Sequence, residues 1–228
     1  MVSKLKILLQ IFRYLPQNLY INFHYLPFKQ AWKIPIMVWK PKFRRLQGEI
    51  QILGGGIKTG MIRLGFNQVS IYPNNGILLE LRGKIVFHGR CTIGNNSCIS
   101  TGKESFLEFG DNFNNYTSLK LVNYDHIKFG DNVLIGWNCL ICDKDFHKLT
   151  RNGQVVERDT APIKIGSNNW IANNCMILKN TRTNPNKVIA AGTFLSKDVT
   201  HLPEKSVIGN DKPVRVLSQD TYLNQWSR

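Results

Sequence analysis

The 228-residue chain has no apolar run of the ~18 to 20 residues that a membrane-crossing helix requires; the longest early run, ILLQIF at 7–12, is broken by Gln10. Lys4 and Lys6 precede that run as in a secretion signal, but it is short and no small-residue cleavage site follows, so a cytoplasmic protein is expected. Acidic residues are scarce, 15 against 30 Lys and Arg, and the formal net charge is +15. Such a charge fits nucleic acid, an anionic membrane surface or a phosphorylated small molecule, and does not choose between them. Cysteines number five, and the Cys139 and Cys142 pair has neither a second pair nor a histidine pair to complete a metal site. They are expected, with Cys91, Cys98 and Cys175, to be small buried apolar residues. The five histidines include no close pair, and no metal is expected.

Before Glu49 there is no acidic residue at all, while Lys4, Lys6, Arg13, Lys29, Lys33, Lys40, Lys42, Arg44 and Arg45 alternate with aromatic side chains such as Phe23, Phe28, Trp32 and Trp39. Two readings fit this segment: one that lies in the interfacial layer of an anionic membrane through residues 1–45, and one that packs with a solvated basic face. Nucleic acid is not the expected partner.

What the chain does have is a period of six. Leu81, Phe87, Ile93 and Ile99 stand in one phase with Phe129, Ile135 and Ile141, with Ile165, Ile171 and Ile177, and with Ile189 and Leu195. Small residues follow several of these, and Ser97, Cys139, Cys175 and Thr193 lie four places after others. Neither a helix nor a simple strand ladder has this period. A three-sided coil does: each hexad supplies a short strand and a corner, and successive coils pair in parallel. The expected fold is therefore an all-β solenoid, with a basic helical or extended segment over 1–48, the coil over 49–209 and a short helix or tail over 210–228. The phase slips between Ser105 and Asn123, and the pattern is missing from 142 to 164, which predicts a loop projecting from the coil.

The hexads, and above all IGSNNWIANNCMIL, VIAAGTFLSKDV and SVIGNDKPVRVL, resemble the left-handed parallel β-helix acyltransferases of the hexapeptide-repeat family, which includes maltose and galactoside O-acetyltransferases. The opening segment is also similar to that of acyltransferases from bacterial surface-polysaccharide biosynthesis. The resemblance implies a homotrimer with acetyl-CoA in a groove between subunits, and transfer of the acetyl group to a sugar hydroxyl without a covalent enzyme intermediate. It places the catalytic histidine at His147, an acceptor-contacting residue at Ser118, and coenzyme contacts at Trp170, Ala172, Ala190, Ala191, Ser196, Lys197 and Arg215, with Lys212 the alternative to Arg215.

The chemistry gives His147 the same task independently. A sugar hydroxyl is too weak an acid to attack a thioester unaided, so a group titrating near neutrality must take its proton. Asp143 and Asp145 are candidates to orient the ring, to stabilise the imidazolium or to hold acceptor hydroxyls. Two other functions use the same residues: N-acetylation of an amino-sugar nucleotide, and a non-catalytic solenoid that binds polyanion or lipid. His24, His88, His126 and His201 are expected to be packing or wall residues.

Overall fold

The computed structural model describes residues 13–54, 56–147, 150–151, 154–155 and 159–210. Three parallel sheets form the faces of a left-handed β-helix. The first face has eight strands, from Ile36–Val38 to Val207–Ile208; the second has seven, from Pro41–Leu46 to Phe194–Leu195; the third has five, from Glu49–Ile52 to Ile163–Ile165. Among the described strands the one antiparallel pair is Thr150–Arg151 with Gln154–Val155, in the projecting loop.

Every residue of the six-residue phase points inward and is buried, from Leu81 to Leu195. Because coils stack at about 4.8 Å, identical positions fall on one another and like side chains stack. Phe87, Phe109 and Phe129 lie nearly parallel with centroids 5.2 and 5.5 Å apart, and Phe113 packs edge-on against Phe109. The corner from the third to the first face needs a left-handed backbone, and asparagine supplies it at Asn112, Asn132, Asn168 and Asn186, with φ between 55° and 60°. Their amides form a ladder, Asn112 Nδ2 donating to Asn132 Oδ1, Asn132 to Asn168 and Asn168 to Asn186 at 3.0, 3.0 and 3.1 Å.

The rungs of that ladder also explain the slipped phase. They are separated by 20, 36 and 18 residues, and at the next corner, between the first and second faces, Asn96 reaches Ser118 across 22. From Phe87 onward, the steps from third to first face and from first to second are all six residues: Phe87, Ile93, Ile99; Phe109, Asn115, Leu121; Phe129, Ile135, Ile141; Ile165, Ile171, Ile177. All variation lies at the remaining corner, from the second face to the third. Ile99 to Phe109 carries four residues more than a hexad and Leu121 to Phe129 two more, so together they restore the phase. Ile141 to Ile165 carries eighteen more, one whole coil, and the phase survives the projecting loop.

Two boundaries differ from expectation. The coil begins at Ile36 rather than at 49, since Ile36–Val38 and Pro41–Leu46 already pair with the next coil; these first strands lack the hexad spacing that made the others visible. At the loop, Cys142 still pairs with Val122 and Leu178, and Ile163 with Ile127, so only the stretch between them leaves the coil.

Helix α1, Leu15–Tyr25, closes the lower end. Asn22 donates to Ile36 O at 2.7 Å and accepts from Ile36 N at 3.0 Å; Asn18, one turn earlier, accepts from Val38 N at 2.6 Å and donates to Val38 O at 3.3 Å. Two side-chain amides thus stand in for a missing strand and satisfy an otherwise open sheet edge. A short helix α2, Phe28–Ala31, follows and buries Ala31. At the upper end Lys187 is fully buried, its ammonium donating to Leu202 O, Pro203 O and Ser206 Oγ, which pins the turn before Val207–Ile208. The 210–228 tail lies outside the described residues beyond Asn210.

Candidate active site

The projecting loop leaves the variable corner on an antiparallel stem. Lys144 bridges Thr160, Asp145 N donates to Asp159 O at 2.9 Å, and Ala161 N to Asp143 O at 3.2 Å. Asp143 roots it. Its side chain has no exposed surface and accepts from Tyr124 N, Asn123 Nδ2 and Asp125 N at 2.6, 2.7 and 2.9 Å. Burial drives its pKa up, partly offset by these three donors. Asp143 therefore cannot hold acceptor hydroxyls as the sequence suggested: its lone pairs face the coil below, and it is a positioning residue that fixes where the loop starts.

Asp145 faces outward and takes Lys179 Nζ, from the coil above, at 2.5 Å, while Lys144 Nζ pairs with Asp159 at 3.0 Å. The loop is thus stapled on both sides before the chain reaches Phe146, which adopts φ 67°, uncommon for a bulky residue. The Phe146 ring packs edge-on against Tyr124 at 5.2 Å, with Lys144 Nζ 5.4 Å from the Tyr124 centroid. His147 follows and is exposed. Root, staples and aromatic contact present an accessible imidazole at a defined corner.

Ser118 is placed otherwise than expected. It occupies a left-handed corner with φ 56°, is 6% exposed, and its Oγ accepts from Asn96 Nδ2 at 2.9 Å. Its neighbourhood is covered by the 67–76 loop, which climbs the corner between first and second faces: Asn75 Nδ2 reaches Asn96 Oδ1, Asn95 Nδ2 reaches Pro73 O, and Tyr72 takes Asn138 Nδ2 at 2.9 Å and packs against Trp137. The Ser118 hydroxyl is thus engaged in corner geometry within this chain.

The coenzyme candidates fall on the upper coils. Trp170 is exposed on the first face; Ala172, Ala190 and Ala191 lie at the corner to the second; Ser196 and Lys197 are exposed where the second face ends. The amides of Ala172 and Ala190 donate to Ile189 O and Ile208 O, so they are consumed by the ladder and only the small side chains leave room for a ligand. Arg215 and Lys212 lie outside the described residues. Sequence reading missed a column between these groups: Leu140, Met176 and Phe194 are register partners on the outside of the second face, and Met176 and Phe194 are exposed. The signal was present, because an apolar residue before each inward position breaks the usual polar-out alternation.

His88 and His126 are wall residues. His88 and His126 give Nε2 to the two oxygens of Glu108 at 3.1 and 2.9 Å, and Lys128 adds a contact at 3.4 Å. Burial would raise Glu108, but these partners outweigh it and lower its pKa. His24 stacks on Tyr20 and bonds Leu46 O.

Hexads, coil and corner loop define a left-handed parallel β-helix built of six-residue repeats. Over 148 residues, 62% of this chain and 70% of the relative, it is 28% identical to the galactoside O-acetyltransferase of Escherichia coli strain K12, which bears out the resemblance read from the hexads. Among solved structures it resembles the polySia specific acetyltransferase NeuO at 16% identity and a TM-score of 0.40, covering 81% of this chain and 92% of that one. No protein-family model matches the chain.

Proposed function

We propose that the protein transfers an acetyl group from acetyl-CoA to a hydroxyl of a saccharide, in the building of a bacterial surface polysaccharide. The observation that carries this is the exposed His147, held on a stapled loop at the variable corner between second and third faces, in a chain 28% identical over 148 residues to a galactoside O-acetyltransferase. His147 takes the proton that the acceptor hydroxyl loses as its oxygen attacks the thioester carbonyl carbon, and returns it to the departing thiolate as the carbon–sulfur bond breaks. Asp145 and its Lys179 partner hold the loop; Asp143 fixes its root. The residues fit the donor: small side chains at Ala172, Ala190 and Ala191, exposed apolar surface at Trp170, Met176 and Phe194, and a cation at Lys197 for a phosphate. With radiolabelled acetyl-CoA and a panel of sugars, His147→Ala is expected to lower kcat by about 10² to 10⁴ with the fold intact. Undiminished transfer would remove the proposed base. Release of the label by hydroxylamine identifies an ester and would exclude an amide product.

The apolar Met176 and Phe194 strip beside incomplete coenzyme contacts supports a homotrimer, checked by light scattering on the eluted protein. The lower cap supports attachment to an anionic membrane surface. No described helix is long and apolar enough to cross a bilayer, yet Phe28 and Trp32 are 69% and 72% exposed and stacked, and Phe23 packs on Phe28. Lys29 and Lys33 flank them in a segment without acidic residues. Phe28→Ser with Trp32→Ser is expected to abolish co-sedimentation with phosphatidylglycerol vesicles; unchanged sedimentation would dismiss the attachment.

A further inference from the structure

The variable corner that carries His147 continues downward as a groove of about 890 Å³, lined by Gly48, Glu49, Arg82, Lys84, Lys103 and Phe106 among others. Its shape follows from coil lengths. The corners at Gln47–Gly48 and Arg82–Gly83 are short, whereas the coil from Ile99 to Phe109 is the one with four extra residues, so Lys103 and Glu104 overhang the corners beneath. Gly48 and Gly83 keep the floor free of side chains; a Cβ at either would meet the backbone of the next coil. The coil above the groove links its rim to the loop: Phe106 N donates to Asp125 O, Asp125 N to Asp143, and Tyr124 lies over Gly102 while touching Phe146, the residue before His147.

The chemistry of the lining is mixed. Arg82, Lys84 and Lys103 offer donors, Glu49 and Glu104 offer acceptors, and the Phe106 ring, half-buried with Lys84 Nζ 5.9 Å from its centroid, offers an apolar platform. A polyanion would not be favoured by the two carboxylates, and an acyl chain would not be favoured by the charges. A chain of hydroxyl-bearing rings meets all three needs, because each hydroxyl both donates and accepts and each ring has an apolar face. Coils rise by about 4.8 Å, close to the advance of one pyranose in an extended chain, so the corners at Gly48, Gly83 and Lys103 span about three units.

Resting on the activity proposed above, we infer that the acceptor is an oligo- or polysaccharide whose neighbouring units lie in this groove while one unit meets His147. The groove would then set chain-length preference without touching the reacting atoms. The test separates binding from transfer. Ladders of galactose, glucose and N-acetylglucosamine oligomers of one to six units are titrated calorimetrically into the full chain and into a Lys103→Ala, Phe106→Ala variant whose melting temperature is checked. The expected result is affinity for at least one ladder that rises about tenfold or more between one and four units, with the rise lost in the variant and monosaccharide binding unchanged. Affinity independent of length, or a rise that survives the double substitution, overturns the inference. Acetyl transfer is then followed on the same ladders: a length-dependent affinity without transfer rejects the reaction and keeps the groove, whereas transfer indifferent to length keeps the reaction and rejects the groove.

Discussion

Two of the three corners of this solenoid are invariant in length from Phe87 onward, while the third carries every insertion, the histidine loop and the groove. The invariant corner from third to first face is locked by the asparagine ladder, whose rungs each need a left-handed residue in contact with the coils above and below. An insertion at Asn132 or Asn168 would break two such contacts. At the variable corner Thr101 and Asp143 cap backbone amides of neighbouring coils, and Asn123 to Asp143 is a single side-chain rung there, so the chain can leave and return above and below it. The proposed site lies where the stacking is least demanding.

The sharpest way to break this contrast is to insert six polar residues at each corner. Between Lys103 and Glu104 the expected cost is below about 1 kcal/mol, since lengthening an existing loop costs little closure entropy. Between Asn132 and Val133 the same insertion is expected to prevent folding, seen as loss of a cooperative melt. Equal tolerance would refute the distinction.

Next in size is Asp143→Ala, which strands one buried and two partly buried donors and is expected to cost about 3 to 5 kcal/mol, lowering the melting temperature by about 10 °C. Transfer should fall with it as the loop loses its root. At the lower cap, Asn22→Ala removes both bonds to Ile36 and should cost about 2 to 3 kcal/mol, with concentration-dependent association through the exposed edge followed by light scattering. A rung change is smaller: Asn132→Ala is expected to cost about 1 to 2 kcal/mol, and Asn132→Gly less, because glycine accepts the left-handed angle.

The smallest effect separates two carboxylates. Glu108 has a lowered pKa, so its contribution is present above the ordinary value of 4.5 and is lost as the pH falls through its depressed pKa. Asp143 has a raised pKa, so its contribution is greatest below the ordinary value of 3.8 and is lost as the pH rises through the raised one. Glu108→Gln should flatten acid denaturation by less than about 1 kcal/mol, as its partners are partly exposed. A steeper acid limb in that variant would show that the two histidines do not hold it ionised.

Much of this was legible in one dimension. The inward phase from Leu81 to Leu195 and the projecting loop could be read because a coil that repeats every eighteen residues forces the same chemistry on the same position. Extra residues in the coils through Phe109 and Phe129 hid the phase without changing the fold. Site residues were less legible. His147 was marked by its chemistry, but the sequence did not divide the possible roles of Asp143, which burial narrows, and it gave Ser118 to the acceptor where the structure shows a hydroxyl engaged at a corner. The Met176 and Phe194 column was legible as a break in polar-out alternation, but only the stacking shows that its members adjoin on one face.

The chain alone thus determined the period, the inward side of each hexad and the corners that favour asparagine, because these depend on spacing and on backbone angles local to a few residues. Only stacking in three dimensions decided that Asn18 and Asn22 would close a sheet edge, that Lys187 would be swallowed by three oxygens, and that coils of different length would leave a groove under the histidine loop. Those outcomes depend on which residues one coil lays against the next, and unequal corners shift that register beyond what spacing along the chain records.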